Sequence, residues 1–190
     1  EISALRKSFW RNIIKNMKNK PAIFRIKEIT KKMRAVVFSD SHGNYDVLEQ
    51  IMERHKDDAD IFIHLGDGER ELELIQYVYN DKKIYFVSGN CDWGTDKPDY
   101  DIIKFSGKTI FFTHGARFGV KGDLNMAKFF ARKNEAEILL FGHTHIAMTD
   151  YEDGLYIMNP GSCGRPREGG PSYGIIDITE AGIAMHTVEI

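Results

Sequence analysis

Apolar runs alternate with amphipathic segments along the first half of the chain. Short apolar runs at residues 35–38, 61–65 and 84–87 are bounded by polar residues, as is typical of buried strands. Between them, residues 44–56 and 69–79 carry apolar side chains at helical spacing, so each segment predicts a helix with one buried face. Strands that alternate with helices in this way predict a largely parallel sheet covered by helices.

The pattern changes after Asn90. Residues 101–105 and 109–112 flank a Ser-Gly turn and predict a hairpin, residues 119–133 predict a further helix, and residues 138–141 predict a buried strand. A mainly antiparallel sheet is then predicted by four strands joined by turns, at residues 147–151, 155–158, 173–178 and 183–190. We therefore expect an α/β fold in which two mixed β-sheets pack face to face between helices, a four-layer α/β/β/α sandwich.

Residues 1–32 differ from the rest of the chain. Apolar residues such as Phe9 and Ile13 recur there at spacings of three and four among Lys and Arg, which predicts a basic amphipathic helix that ends near Pro21. This segment carries a net charge of +8, which leaves −10 for residues 33–190. We predict a basic helical N-terminal extension at residues 1–32 and one catalytic domain at residues 33–190. A membrane-surface or partner contact, a transit sequence, an appendage that folds onto the acidic body and an upstream stretch of sequence all stay open for the extension.

The overall composition is that of a soluble globular protein. The chain has 190 residues, 42% hydrophobic and 28% charged, enough for one sizeable core. Its two cysteines are too few for a disulfide framework, and no secretory segment or apolar run of about 20 residues is found, so we expect a cytoplasmic protein without a membrane span. The acidic body argues against a stable nucleic-acid partner. Self-association is left open.

Side chains suited to metal binding follow five of the predicted strands. They are Asp40 and His42, Asp67, Asn90, His114, and the pair His143 and His145. In α/β sheets, ligands bind outside the carboxyl ends of the strands, so we expect these seven donors to converge. Oxygen and nitrogen donors of this kind suit Mn, Fe, Zn or Ni better than Ca or a cysteine-rich zinc site. Seven donors are too many for one tetrahedral ion, but they fit two ions that share a bridging carboxylate.

The order D-x-H, G-D, G-N, H-G and G-H-x-H across these strands resembles that of the calcineurin-like metallophosphoesterase superfamily. With Asn159-Pro160-Gly161-Ser162, residues 33–190 are most similar to its small single-domain bacterial and archaeal phosphodiesterases. The resemblance implies a first metal held by Asp40, His42, Asp67 and His145, and a second held by Asp67, Asn90, His114 and His143. It also implies that a hydroxide bridging the two ions attacks a small phosphodiester, with phosphomonoesters as a further substrate class. Mn is the expected metal, and Ni, Fe, Zn and Mg are the alternatives.

One departure from the family pattern lies after the metal-binding Asn. Many relatives carry a His there that protonates the leaving group, whereas this chain has Cys91 followed by Asp92. A protonated Asp92 or a metal-bound water could supply the proton, and we expect the thiol of Cys91 only to fill space. The candidate catalytic residues are therefore Asp67, Asn90 and Asp92.

Several further residues carry expectations that the structure can test. Arg165 and Arg167 lie in a segment rich in glycine and proline, where they would bind a phosphoester or remain solvated loop charges. We expect Asn44 to cap the helix that follows it. His64 is expected to pack in the core or to lie beside the metal ligands, and His55 is expected to face solvent.

Two other functions remain as alternatives. A non-catalytic interaction scaffold is the first, because a relative of this fold is a structural subunit of the retromer coat; loss of several metal ligands would favour it, and none is missing here. A mononuclear hydrolase acting on something other than phosphate would leave half of the donors without a purpose. The sequence has neither the G-x-x-x-x-G-K-[ST] phosphate loop nor the G-x-S-x-G nucleophile motif.

Overall fold

The computed structural model describes residues 32–190, so most of the predicted N-terminal extension lies outside the described residues. Ten strands and three α-helices follow in the order β1 (Met33–Phe38), α1 (Tyr45–His55), β2 (Ile61–His64), α2 (Glu69–Val78), β3 (Ile84–Phe86), β4 (Tyr100–Phe105), β5 (Lys108–Thr113), a 3₁₀ helix (Ala116–Phe118), α3 (Asn125–Lys133), β6 (Ile138–Phe141), β7 (Ala147–Glu152), β8 (Leu155–Pro160), β9 (Ser172–Thr179) and β10 (Gly182–Glu189).

The strands form two mixed sheets of five strands each. The first has the order β10-β9-β1-β2-β3, with β1, β2 and β3 parallel and the other two antiparallel. The second has the order β4-β5-β6-β8-β7, with β5, β6 and β8 parallel and an antiparallel strand at each edge. Our expectation of a mainly antiparallel sheet in the C-terminal half was therefore wrong, because the C-terminal strands divide between the two sheets.

The burial of β9 explains this division. Ile176 on one face of β9 packs between the two sheets, whereas Tyr173 and Ile175 on the other face pack under the helices of the first sheet. A strand that is apolar on both faces needs a central position, which β9 finds between β1 and β10. β10 has alternating exposed residues and takes the edge of the sheet.

Three hydrophobic cores confirm the expected four layers. The central core lies between the sheets and includes Val37, Ile63, Phe112 and Leu140. A second core joins α1 and α2 to the outer face of the first sheet, and a third joins α3 to the outer face of the second. No helix in residues 32–190 combines the length and apolar character needed to cross a membrane.

The helices confirm the expected cap at Asn44 and correct two other expectations, the start of α3 and the exposure of His55. Asn44 caps α1, since its side-chain oxygen accepts a hydrogen bond from the backbone N–H of Val47 at 3.3 Å. The helix expected over residues 119–133 is helical only from Asn125, because Gly119 has a φ of 66° and ends the preceding 3₁₀ helix. His55 does not face solvent: it is 5% exposed and lies 2.9 Å from the Tyr173 hydroxyl, because the end of α1 packs on β9.

Candidate metal centre

The loops that follow β1, β2, β3, β5 and β6 meet at one end of the two sheets, and they carry all seven predicted donors. Five of the seven have positive φ, namely Asp40 (55°), His42 (48°), Asp67 (58°), His143 (67°) and His145 (62°). Non-glycine residues tolerate this region poorly, at a cost of about 1–3 kcal/mol each, and such residues cluster at functional sites. The surrounding fold therefore holds these side chains against their backbone preference.

A first group of donors surrounds the buried carboxylate of Asp40. Its Oδ1 lies 3.1 Å from His145 Nε2 and 3.9 Å from His42 Nε2, and these two nitrogens are 3.3 Å apart. The other oxygen, Oδ2, accepts hydrogen bonds from the Ser39 hydroxyl at 2.5 Å and the His143 backbone N–H at 3.1 Å. Among the described residues, Oδ1 has no hydrogen-bond partner of good geometry. A buried oxygen of this kind, facing two imidazole nitrogens, fits a bound cation.

A second group of donors surrounds His114. Its Nδ1 donates to the Leu65 carbonyl at 2.8 Å, which turns the lone pair of Nε2 towards the site. This Nε2 lies 3.0 Å from Asn90 Oδ1, 3.1 Å from His143 Nδ1 and 3.5 Å from Asp67 Oδ2. The nitrogen lone pair thus faces oxygen acceptors, an arrangement that a cation between them would satisfy.

Asp67 lies between the two groups. Its Oδ2 is 3.8 Å from His42 Nε2 and 3.5 Å from His114 Nε2, while Oδ1 accepts a hydrogen bond from the Cys91 backbone N–H at 2.7 Å. A Cβ atom at Gly89 would overlap the Asp67 carboxylate, so only glycine allows this close approach of the two loops. Asp67 Oδ2 thus lies within 4 Å of an imidazole nitrogen from each donor group.

The pKa values of the histidines favour cation binding. Burial, and after it the neighbouring His114, lowers the pKa of His143 to about 4, and burial also lowers the pKa of His42. Both imidazoles are therefore neutral near pH 7, which is the form that binds metal. The adjacent Asp40 carboxylate raises the pKa of His145, so a proton is attracted to the place where a cation would lie. Burial alone would raise the pKa of Asp40, but His145, His114 and Ser39 together lower it.

Glu71 is a supporting residue that the sequence analysis missed. The Glu71 side chain is buried, and its Oε1 accepts hydrogen bonds from the Ser41 hydroxyl at 2.7 Å and the Gly43 backbone N–H at 2.6 Å. Ser41 Oγ also lies 3.1 Å from Nε2 of His64, a fully buried residue whose pKa burial lowers to about 4. His64 is thus packed in the core and supports the loop of Asp40. Glu71 precedes Ile75 by four residues, so the helical pattern could have placed it on the buried face of α2.

Asp92 fixes the backbone around Asp67. Its Oδ1 accepts hydrogen bonds from the backbone N–H groups of Gly68 at 2.9 Å and Glu69 at 3.0 Å. Its Oδ2 accepts from those of Asp67 and Gly89, both at 2.8 Å. Four donors occupy the carboxylate, so this geometry favours an anchoring role for Asp92 over the expected role as proton donor.

Cys91 was expected only to fill space, but it lies beside the metal-binding candidates. Its Sγ forms a compact group with donor atoms of His42 and Asp67, all within 4.8 Å of one another. Burial and, after it, the Asp67 carboxylate raise the pKa of the Cys91 thiol to about 11, which keeps it protonated near neutral pH. A thiol in this state is a weak hydrogen-bond donor.

Three cationic side chains line the pocket above the donors. Arg165 and Arg167 both line it, and Lys121 joins them. Lys121 was not among the predicted site residues, because it falls in the segment expected to be helical, and that helix begins only at Asn125. The loop of the two arginines is tied to the site, since the Ser162 hydroxyl donates to the Asp40 carbonyl at 2.8 Å.

Comparison with models of protein families identifies the family of this chain. The model of the calcineurin-like phosphoesterase superfamily domain matches residues 33–181. The chain belongs to this superfamily. The resemblance drawn from the order of the donor motifs is thereby confirmed, and with it membership of a family of phosphoester hydrolases whose fold implies divalent metal ions.

Two bacterial relatives and one solved structure are similar to this chain. The chain is 35% identical to the probable metallophosphoesterase YsnB of Bacillus subtilis over 138 residues, 71% of this chain and 78% of YsnB. It is 26% identical to the phosphodiesterase YfcE of Escherichia coli K12 over 170 residues, 76% of this chain and 88% of YfcE. The solved structure of Vacuolar Protein Sorting 29 from Cryptosporidium parvum shares the fold, with a TM-score of 0.66 and 17% identity over 84% of this chain and 99% of that one.

Proposed function

We propose that this chain is a phosphodiesterase with a dinuclear metal centre and that it hydrolyses phosphomonoesters more slowly than diesters. The observation that carries the proposal is the position of Asp67 Oδ2, within 4 Å of an imidazole nitrogen from each donor group. The name of the relative YfcE supports the diester preference. When bound, two divalent ions would activate a water for attack on phosphorus and stabilise the negative charge that develops.

Each donor group would hold one ion. Asp40, His42 and His145 would bind the first, and Asn90, His114 and His143 would bind the second, with Asp67 shared between them. The hydrogen bond from His114 Nδ1 to Leu65 and the one from His145 Nδ1 to the Arg165 carbonyl, at 2.6 Å, would keep both Nε2 atoms directed at the ions. Donors of this mixture suit Mn, Fe, Zn or Ni, and Mn is the ion that the family resemblance implies.

Positive side chains would bind and orient the substrate. Lys121, Arg165 and Arg167 line the pocket above the donors, whereas residues 33–190 as a whole carry −10. This local reversal of charge would attract a phosphoester anion, and a guanidinium group can hold two phosphate oxygens at once.

The residues after Asn90 would determine which leaving groups react well. The Asp92 carboxylate is occupied by four backbone N–H groups, and the Cys91 thiol stays protonated and donates only weakly. Esters whose leaving group departs without a strong proton donor, such as aryl esters, should therefore react best.

The test compares bis(p-nitrophenyl) phosphate with p-nitrophenyl phosphate in the presence of Mn, Ni, Mg or Zn. We expect faster turnover of the diester. Asp67→Ala and His114→Ala should each lower turnover by about a thousandfold, since several kcal/mol of charge stabilisation is lost. The control is His186→Ala, an exposed histidine of β10, which should keep full turnover. Failure of the intact chain to hydrolyse either ester with any of the four metals would contradict the proposal.

An interaction scaffold of the same fold is the second candidate function. Its support is the likeness to Vacuolar Protein Sorting 29 and the exposure of three large apolar side chains on α2, Leu74, Tyr77 and Val78. A chain that binds no metal and hydrolyses neither ester would favour the scaffold.

The cellular setting is also a proposal. We propose that the enzyme acts in the cytoplasm on a small phosphoester, and that residues 33–190 carry the activity without the basic extension.

A further inference from the structure

Trp93 is an exposed tryptophan beside the candidate metal centre. Trp93 is 89% exposed, which is the largest exposed fraction among the large apolar residues of 32–190. It follows Cys91 and Asp92 in the loop after β3. A side chain that buries so little surface contributes almost nothing to the core, so packing does not account for its position.

The loop that carries Trp93 is anchored on both sides of the tryptophan. On one side, the Asp92 carboxylate accepts four backbone N–H groups. On the other side, the Thr95 hydroxyl donates to Glu69 Oε1 at 2.6 Å. The exposed indole is thus presented from a backbone that is fixed against the start of α2.

Trp93 lines one pocket together with two of the metal-binding candidates. His42 and Asp67 contribute to the same pocket, and so do Arg70 and Arg165. The carboxylates of Glu69, Glu71 and Asp92 also line it, but each already accepts hydrogen bonds from hydroxyl or backbone N–H groups, which leaves the two arginines to bind an anion. One part of this pocket is therefore continuous with the candidate metal centre, and another part offers a flat aromatic face. This combination fits a ligand with an anionic group joined to an aromatic group.

We propose that this pocket is a subsite for a flat aromatic substituent of the phosphodiester substrate, which stacks on the indole of Trp93. The inference rests on the proposed function, because the phosphoryl group of the same substrate would lie at the metal centre, where Arg165 lines both that site and the pocket of Trp93. Stacking on an aromatic side chain accepts any flat ring, so both a simple aryl ester and a nucleoside ester fit this chemistry. A phosphodiester has a second ester group that a monoester lacks, and the subsite gives that group a place to bind.

The test measures binding and does not depend on turnover. Phenylphosphonate, methylphosphonate and a nucleoside 5′-phosphonate are titrated into the metal-loaded full chain by calorimetry. In a Trp10→Phe background, Trp93 is the one remaining tryptophan and its fluorescence reports the contact. We expect phenylphosphonate to bind about tenfold more tightly than methylphosphonate, equivalent to about 1.4 kcal/mol, and to quench Trp93.

Variants separate stacking from general effects on the fold. Trp93→Ala should reduce the tenfold preference to about one, and Trp93→Phe should keep part of it. The matched control is Tyr77→Ala, which removes an aromatic side chain that is 82% exposed on α2 outside this pocket and should leave the preference unchanged. An intact preference in Trp93→Ala, or equal binding of the two phosphonates to the parent chain, would overturn the subsite.

The remaining arm identifies the source of the aromatic group. Tighter binding of the nucleoside phosphonate than of phenylphosphonate assigns the subsite to nucleoside esters, and equal binding assigns it to simple aryl esters. A Trp93-dependent preference in a chain that hydrolyses neither test ester would uphold the subsite and refute the proposed catalysis. Turnover without that preference would do the reverse.

Discussion

Replacing Asp92 by Asn should destabilise the fold without removing a catalytic proton. The substitution keeps the shape of the side chain but turns one oxygen into an NH₂ group, which cannot accept a hydrogen bond. Whichever oxygen is replaced, two backbone N–H groups lose their acceptor, either those of Gly68 and Glu69 or those of Asp67 and Gly89. The negative charge at the start of α2 is lost as well.

The size of the effect follows from these contacts. A buried donor that loses its acceptor costs about 1–3 kcal/mol, and the half-buried position of Asp92 favours the lower end of that range. Loss of the charge near a helix N-terminus adds about 0.3–1 kcal/mol. We therefore expect the free energy of unfolding to fall by about 2–3 kcal/mol, or Tm to fall by about 4–12 °C for a chain of this length.

Urea unfolding of the protein after a chelator has removed bound metal, followed by circular dichroism, measures this change. The control is Asp96→Asn in the same loop, whose exposed carboxylate pairs with Lys97 at 3.3 Å and should matter little. The reasoning is refuted if Asp92→Asn stays within about 0.5 kcal/mol of the parent. A loss of kcat confined to esters with poor leaving groups would instead support Asp92 as the proton donor.

Three further predictions concern the core, the site and the extension. Burial lowers the pKa of His64 to about 4, so the neutral side chain should contribute about 3 kcal/mol to the free energy of unfolding above pH ~6.5. This contribution should be lost as the pH falls towards 4, which urea unfolding across this range tests. An imidazole of His64 that titrates near pH ~6.5 by NMR would contradict the prediction. Gly89→Ala should weaken metal binding by about tenfold in calorimetry, because the added Cβ displaces the Asp67 carboxylate, whereas Gly122→Ala has room and should bind normally. A chain that begins at Met33 should keep full diester turnover, and an inactive truncation would place residues 1–32 in the catalytic body.

The convergence of the metal-binding candidates follows from local patterns in the sequence. Each donor lies within a few residues of the end of an apolar run, and apolar runs of that length become strands. The parallel pairs β1 with β2 and β5 with β6 bring the carboxyl ends of their strands to one edge, so Asp40 and Asp67, or His114 and His143, become neighbours. No knowledge of the distant packing was needed for that step.

Long-range pairing was not predictable in the same way. The antiparallel pairing of β9 with β1 joins residues about 140 positions apart, and no local pattern distinguishes it from pairing of β9 with β8. That the two sheets meet at the site could likewise be inferred only from the expectation that the donors converge there.

The roles of residues that lie in irregular backbone were also not predicted from the sequence. Lys121 reaches the pocket because the chain turns at Gly119 and enters α3 only at Asn125, while the anchoring role of Asp92 depends on four backbone groups from two separate loops. Side-chain patterns carry little information about such turns, because backbone groups form the contacts.

Anomalous diffraction from crystals of the full chain grown with Mn tests the central claim most directly. We predict two Mn peaks about 3.5–4 Å apart, one on each side of Asp67 Oδ2. One peak should be bound by Asp40, His42 and His145, and the other by Asn90, His114 and His143. A single peak, or peaks away from these residues, would contradict the dinuclear site.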